Sequence, residues 1–77
     1  MKMRDVLVFD RDTNQEAVIQ AKTLIEATRK YMKQNKISGN VKRTSDNGWR
    51  FNAIEIQKGE YIDRIKVGVN SWYLWTN

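Results

Sequence analysis

The chain has 77 residues, and its 14 Lys and Arg residues outnumber its 9 Asp and Glu residues, for a formal net charge of +5 at pH 7. It contains neither Cys nor His, which excludes disulfides and leaves no thiolate or imidazole to bind a structural zinc ion. Forty per cent of the residues are apolar, yet no apolar run approaches the roughly 20 residues that a membrane-spanning helix needs. We therefore predict a single domain over residues 1–77, located in the cytoplasm.

The first apolar run extends from Val6 to Phe9 and is bounded by Asp5 and Asp10. A short continuous run of β-branched and large apolar residues is typical of a strand that is buried on both faces. The sequence therefore predicts a short buried strand over residues Arg4–Asp10.

A segment with helical periodicity follows this strand. Apolar residues recur at helical spacing from Ala17 to Met32, and Lys and Arg occupy most of the opposite arc. Thr13 and Glu16 have the spacing of a capping box, in which the two residues satisfy each other's backbone N–H groups. The pattern predicts one long amphipathic helix over residues Thr13–Lys36.

Beyond the predicted helix, the periodicity changes to that of strands separated by turns. Asp46-Asn47-Gly48 and Lys58-Gly59 are typical turn sequences. The predicted strands are Asn40–Ser45, Trp49–Gln57 and Glu60–Val69, and Trp72–Trp75 is either a short fifth strand at the sheet edge or a simple extension of the chain. The order β-α-β-β-β predicts an α+β fold of two layers, with one long helix packed on a mostly antiparallel sheet of three to five strands.

The length of the two turns decides which side chains face the helix, because a slip of one residue moves every side chain to the other face. Three-residue turns would place these residues in the core: Val41, Trp49, Phe51, Ala53, Tyr61, Ile65, Val67 and Val69. We prefer this arrangement because it buries two large aromatic side chains, at ~1.5–3 kcal/mol each. Two-residue turns would instead leave Trp49 and Phe51 on the open face, beside three basic residues, Lys42, Arg64 and Lys66.

The face away from the helix is basic in this prediction. Its candidate nucleic-acid-binding residues are Lys42, Arg50, Asn52, Arg64 and Lys66. Such side chains donate to phosphate oxygens, and an antiparallel sheet can lie along a phosphate backbone or enter a major groove. Exposure of Trp49 and Phe51 on the same face would make it a stacking platform for single-stranded bases. The sequence therefore predicts a non-catalytic protein that binds DNA or RNA, although Lys and Arg also serve simply to protect a sheet surface.

An alternative function is that of an inhibitor or adaptor that docks on a larger nucleic-acid-processing protein, or that pairs with a second copy of this chain. Its candidate interface residues are Ile54, Ile56, Ile62, Trp72, Tyr73 and Trp75. Exposed clusters of β-branched residues mark interfaces, and Trp and Tyr are enriched among the residues that dominate binding energy. Small accessory proteins of this kind are encoded by mobile elements such as phages. The aromatic tail would serve equally well to complete a thin core.

Catalysis has few candidate groups in this chain. Without His and Cys, acid–base chemistry would fall to carboxylates, Lys or Tyr. The candidate carboxylate pair for such chemistry is Glu55 with Asp63. A structural salt bridge to the neighbouring Arg43 or Lys33 is the simpler interpretation of these two residues. We therefore expect no enzymatic activity, no cofactor and no metal site.

Overall fold

The computed structural model describes residues 3–45, 47–56 and 71–76, which form one α-helix and five strands. In chain order the elements are β1 (Arg4–Asp10), β2 (Gln15–Ala21), α1 (Leu24–Gln34), β3 (Val41–Arg43), β4 (Phe51–Glu55) and β5 (Ser71–Thr76). The strands form one antiparallel sheet in the order β2-β1-β4-β5-β3, and α1 packs on one face of it. The predicted α+β class, with one helix on an antiparallel sheet, is confirmed.

The predicted strand Glu60–Val69 and the turn before it lie outside the described residues. Among the residues that are described, no helix combines the length and the apolar character that crossing a membrane requires.

Strand β1 has the predicted bounds and lies inside the sheet, between β2 and β4. Val6 and Val8 belong to the core beneath α1. Alternation along the strand directs Leu7 and Phe9 to the opposite face, where they are nevertheless only 8% and 3% exposed. Burial on both faces explains why this segment is apolar at consecutive positions rather than at alternate ones.

The prediction of a helix over Thr13–Lys36 is wrong in its first half. Strand β2 forms a hairpin with β1, and α1 begins only at Leu24. The hairpin turn includes Asn14 at φ 58°, in the left-handed region that Asn tolerates better than most residues. Ile19, which a helix would leave on its polar arc, is 6% exposed in the core, and the adjacent β-branched Val18 also favours a strand.

The N-cap of the helix is Thr23, which precedes Glu26 at the same spacing as in the predicted capping box. Here, however, the glutamate accepts from the N–H of Lys22 rather than from that of Thr23. The Oγ1 atom of Thr23 accepts from the N–H of Glu26 at 3.0 Å, and Oε2 of Glu26 accepts from the N–H of Lys22 at 2.6 Å. Thr13 lies instead in the β1–β2 turn, where its hydroxyl accepts from the N–H of Gln15 at 3.3 Å. Both threonines are local caps, but only Thr23 caps a helix.

The strands in the second half of the chain are shorter than predicted, and their positions differ. β3 contains three residues at a sheet edge, and β4 begins at Phe51 rather than at Trp49. β5 is not an edge strand, because it lies between β4 and β3. Its Leu74 is fully buried and pairs in register with Phe51, so the aromatic tail completes the core. Of the residues predicted for the core, Val41, Phe51 and Ala53 are there, and Tyr61, Ile65, Val67 and Val69 lie outside the described residues.

We expect the substitution Thr23→Ala to lower the free energy of unfolding by about 1 kcal/mol, because the first turn of α1 loses its capping acceptor. Thr13→Ala is the matched control and should cost about 0.5 kcal/mol or less, because its hydroxyl is exposed and caps no helix. Urea unfolding followed by circular dichroism measures both values. A larger loss for Thr13→Ala than for Thr23→Ala would contradict this helix start.

Candidate functional site

The sheet face away from α1 carries aromatic side chains from three segments of the chain. Phe9, Asn52 and Tyr73 are neighbours in register across β1, β4 and β5. Trp49 lies over this row, with its ring centroid 6.1 Å from that of Phe9 and 5.1 Å from that of Tyr73. The prediction that Trp49 faces the helix is therefore wrong, whereas Phe51 does face it.

The amide of Asn52 is fully buried in this row. Its Nδ2 atom donates to Oγ of Ser71 at 3.1 Å and to the carbonyl of Trp72 at 3.2 Å. Its Oδ1 atom has no hydrogen-bond partner among the described residues. Asn52 thus ties β4 to β5 and is not available on the surface for an oligonucleotide, contrary to the prediction.

We call Trp49, Tyr73 and Trp75 the aromatic face. Trp49 and Tyr73 are partly exposed, and Trp75 is 41% exposed. Two cations flank these rings. The guanidinium of Arg11 lies 4.5 Å from the Trp49 ring centroid and donates to the Trp49 carbonyl at 3.5 Å, while the exposed Lys42 pairs in register with Trp75. Half-exposed rings beside exposed cations can offer both stacking and phosphate contacts.

Arg50 does not belong to this surface. Its Nε and Nη2 atoms donate to Oδ1 and Oδ2 of Asp10, both at 3.1 Å, and the side chains of Asp10 and Arg50 are 1% and 19% exposed. Asp10 also accepts from the N–H of Asp12 at 3.0 Å. The prediction that Arg50 lies on the open face is wrong, because a buried carboxylate 40 residues earlier in the chain takes up the guanidinium.

The hydrogen bond to Asp10 raises the pKa of Arg50 above its ordinary value, and partial burial acts in the opposite direction. Nearby, burial raises the pKa of Tyr31 above 10, and the Thr13 hydroxyl opposes that rise. The Tyr31 hydroxyl is buried but has no partner with hydrogen-bonding geometry among the described residues. This corner is therefore a buried structural site, in which the Tyr31 hydroxyl is the polar atom left without a partner among the described residues.

The other predicted residues are distributed as follows. Among the candidate nucleic-acid-binding residues, Lys42 is exposed beside the aromatic face, and Arg64 and Lys66 lie outside the described residues. Among the candidate interface residues, Ile54 is fully buried, so its predicted exposure is wrong. Ile56 is partly buried, and Ile62 lies outside the described residues.

The three aromatic residues of β5 lie on different faces. Tyr73 and Trp75 belong to the aromatic face, whereas Trp72 packs against the core beneath α1. The guanidinium of Arg43 lies 4.6 Å from the Trp72 ring centroid. Lys42 and Arg43 are thus adjacent cations on opposite faces of the same edge strand.

The acidic residues offer no metal site in the described part of the chain, where no group of three or more candidate ligands comes together. Glu55 forms a salt bridge with Arg4 at 3.6 Å, rather than with the Arg43 or Lys33 predicted from the sequence. Asp63 lies outside the described residues.

Comparison of the chain with protein-family models, curated proteins and solved structures finds no match. The aromatic face and the residues around it are therefore the features from which a function can be inferred.

We expect Arg50→Gln to lower the free energy of unfolding by about 3 kcal/mol, because it leaves the buried Asp10 carboxylate without its ion-pair partner. The double variant Asp10→Asn with Arg50→Gln should recover part of that loss, since it removes the unpaired charge. Urea unfolding of the wild type, both single variants and the double variant measures the coupling. Additive losses would show that the two side chains do not act as a pair.

We expect Tyr31→Phe to leave stability at pH 7 unchanged or to raise it by up to ~1 kcal/mol, because the hydroxyl it removes is buried and has no hydrogen-bond partner among the described residues. The raised pKa of Tyr31 also makes stability depend on pH. Above about pH 10 the unfolded chain loses the Tyr31 proton while the folded chain retains it, so stability falls with rising pH in that window. The wild type should therefore lose more stability than Tyr31→Phe between pH 9 and 11, measured by urea unfolding. A loss well above 1 kcal/mol at pH 7 would contradict the absence of a partner.

Proposed function

We propose that this chain is a non-catalytic protein that binds single-stranded nucleic acid on its aromatic face. The observation that supports the proposal is the placement of Tyr73 and Trp75 on one side of β5, with Trp49 packed on Tyr73 and Lys42 paired with Trp75. Aromatic side chains beside cations are the chemistry with which proteins hold unpaired bases and their phosphates.

The spacing of Tyr73 and Trp75 along β5 suits bases that have been separated from one another. Tyr73 and Trp75 are two residues apart in a strand, so their Cα atoms are separated by roughly 6.8 Å. That is about twice the 3.4 Å repeat of stacked bases. One base could therefore stack on the exposed Trp75 ring and the next on the packed pair of Trp49 and Tyr73, and stacking is worth ~1–3 kcal/mol per base.

The charge of the chain favours the same ligand. A net charge of +5 attracts polyanions at long range, and Lys42 and Arg11 supply local phosphate contacts on either side of the rings. Asn52 and Arg50 are committed within the protein, so the described residues of this face offer few donors with which to read a major groove. Stacking of unpaired bases thus fits this surface better than sequence-specific reading of duplex DNA.

The docking of a protein partner has less support in the described residues, because Ile54 is buried within the sheet rather than exposed on an apolar patch.

When the protein is titrated into a fluorescein-labelled oligo-dT or oligo-U strand, we expect the fluorescein anisotropy to rise. Binding of the strand should also quench the tryptophan fluorescence of the protein. Lys42→Ala should weaken binding and reduce the log–log salt slope by about 0.7, the value for one phosphate contact on a single strand. Arg43→Ala is the matched control. It removes the same charge from the next residue, but on the opposite face, and should leave the slope close to that of the wild type.

In the same titration, Trp75→Ala should lower affinity by roughly 5- to 150-fold with an unchanged salt slope, because it removes stacking and no charge. Equal effects of Lys42→Ala and Arg43→Ala would overturn the assignment of the face, and so would duplex binding as tight as single-strand binding.

A further inference from the structure

In the part of the chain that the structure describes, strand β2 forms one outer edge of the sheet and pairs only with β1. The hydrogen bonds between β1 and β4 show in which direction the backbone N–H and C=O groups of β2 point. There, the N–H of Ile56 donates to the Asp5 carbonyl at 2.9 Å, and the N–H of Arg11 donates to the Arg50 carbonyl at 2.7 Å. Odd-numbered residues of β1 thus bond towards β4, and even-numbered residues bond towards β2.

The register pairs each even-numbered residue of β1 with an odd-numbered residue of β2. The N–H and C=O groups of Glu16, Val18 and Gln20 must therefore point away from the sheet. An independent contact agrees, because Nζ of Lys30 reaches from α1 to donate to the Gln20 carbonyl at 2.9 Å. The remaining outward groups of these three residues have no partner among the described residues.

Apart from the Lys30 contact at Gln20 and the charge of Glu16, this edge has little of the usual protection against strand pairing. β2 has seven residues, contains no proline and carries no lysine, although native edges commonly use such residues to block association. Val18, at the centre of the strand, is 59% exposed. An apolar side chain at the middle of an open strand edge is the arrangement expected where another strand adds to the sheet.

The edge is also complementary to itself. A twofold axis through Val18, perpendicular to the sheet, would pair β2 antiparallel with β2 of a second copy. In that register the two Val18 residues face each other, and Glu16 faces Gln20 of the second copy, so no like charges meet. Lys22, one residue beyond the strand, lies diagonally across from Glu16 of the second copy, within the reach of a long side chain.

We infer that β2 is a homodimerisation edge, at which two copies of this chain join their sheets into one continuous sheet. About six backbone hydrogen bonds form, two between the Val18 residues and four between the Glu16–Gln20 pairs. The Gln20 carbonyl can accept from both Lys30 and the second copy, since a carbonyl oxygen has two lone pairs.

Disulfide trapping tests the register directly, because the wild-type chain has no cysteine. Val18→Cys places two thiols on residues whose Cα atoms lie about 5.5 Å apart across the axis, within the roughly 4.4–6.8 Å that a disulfide spans. Glu16→Cys is the matched control, since the twofold separates its two copies by roughly 14 Å along the strands. Under mild oxidation we expect the Val18→Cys chain to run mainly as a dimer on a non-reducing gel, and the Glu16→Cys chain to run as a monomer. Equal trapping of the two variants would overturn the proposed register.

Sedimentation equilibrium tests the association itself. Across roughly 1 μM to 1 mM, the apparent mass of the wild type should rise from 9.1 kDa to twice that value. Val18→Lys, which brings two ammonium groups together at the axis, should stay at the monomer mass, while Val18→Thr should still dimerise. A wild type that stays monomeric throughout, or a Val18→Lys variant that dimerises equally well, would overturn the inference. No nucleic acid is present, so failure here is distinct from failure of the proposed function.

Discussion

The buried pair between Asp10 and Arg50 connects the end of β1 to the chain that enters β4, 40 residues later. The adjacent hydrogen bond from Arg11 N–H to the Arg50 carbonyl, at 2.7 Å, extends the ladder by one residue. Because the Asp10 carboxylate is almost wholly removed from water, a register in which it lost the guanidinium would leave an uncompensated charge in the interior. By this reasoning the pair disfavours the one-residue slip that would move Phe51 and Ala53 away from α1.

The segment that contains Arg50 also leads Trp49 to the aromatic face. Arg50 separates two aromatic residues whose side chains go to opposite sides of the sheet. Phe51 packs edge-on against Tyr31 beneath α1, with ring centroids 6.0 Å apart, and Trp49 lies against Phe9 and Tyr73 on the other side. In a regular strand, residues two apart share a face. The residues before Phe51 are not in a regular strand. Trp49 therefore lies on the face opposite to Phe51, whereas regular alternation would place both residues on the same face.

These features show which parts of the structure the sequence could predict. The apolar run of β1 has one interpretation, and its bounds are as predicted. The segment after β1 has two interpretations. Thr13 and Thr23 each precede a glutamate at capping-box spacing, and the apolar residues between them fit either a helix or a strand. Ile19 was the signal that favoured a strand. Arg50 and the inner position of β5 depend on contacts between distant residues, which local patterns do not contain. The sequence predicts Lys42 on the face away from the helix, and the structure has it exposed there, because alternation along a short strand is enough to place it.

The two proposals are physically independent, but the geometry of the sheet connects them. A twofold axis perpendicular to a sheet keeps each face on its own side, so a dimer formed through β2 would have both helices on one side and both aromatic faces on the other. The two β5 strands would then be seven strand spacings apart, or roughly 34 Å. A single strand with bases stacked at 3.4 Å would need about ten nucleotides to cover that distance. A longer strand would engage both faces at once, and the second contact would form at the high effective concentration that the first creates. A domain with only a few stacking rings would in this way hold long single strands far more tightly than short ones.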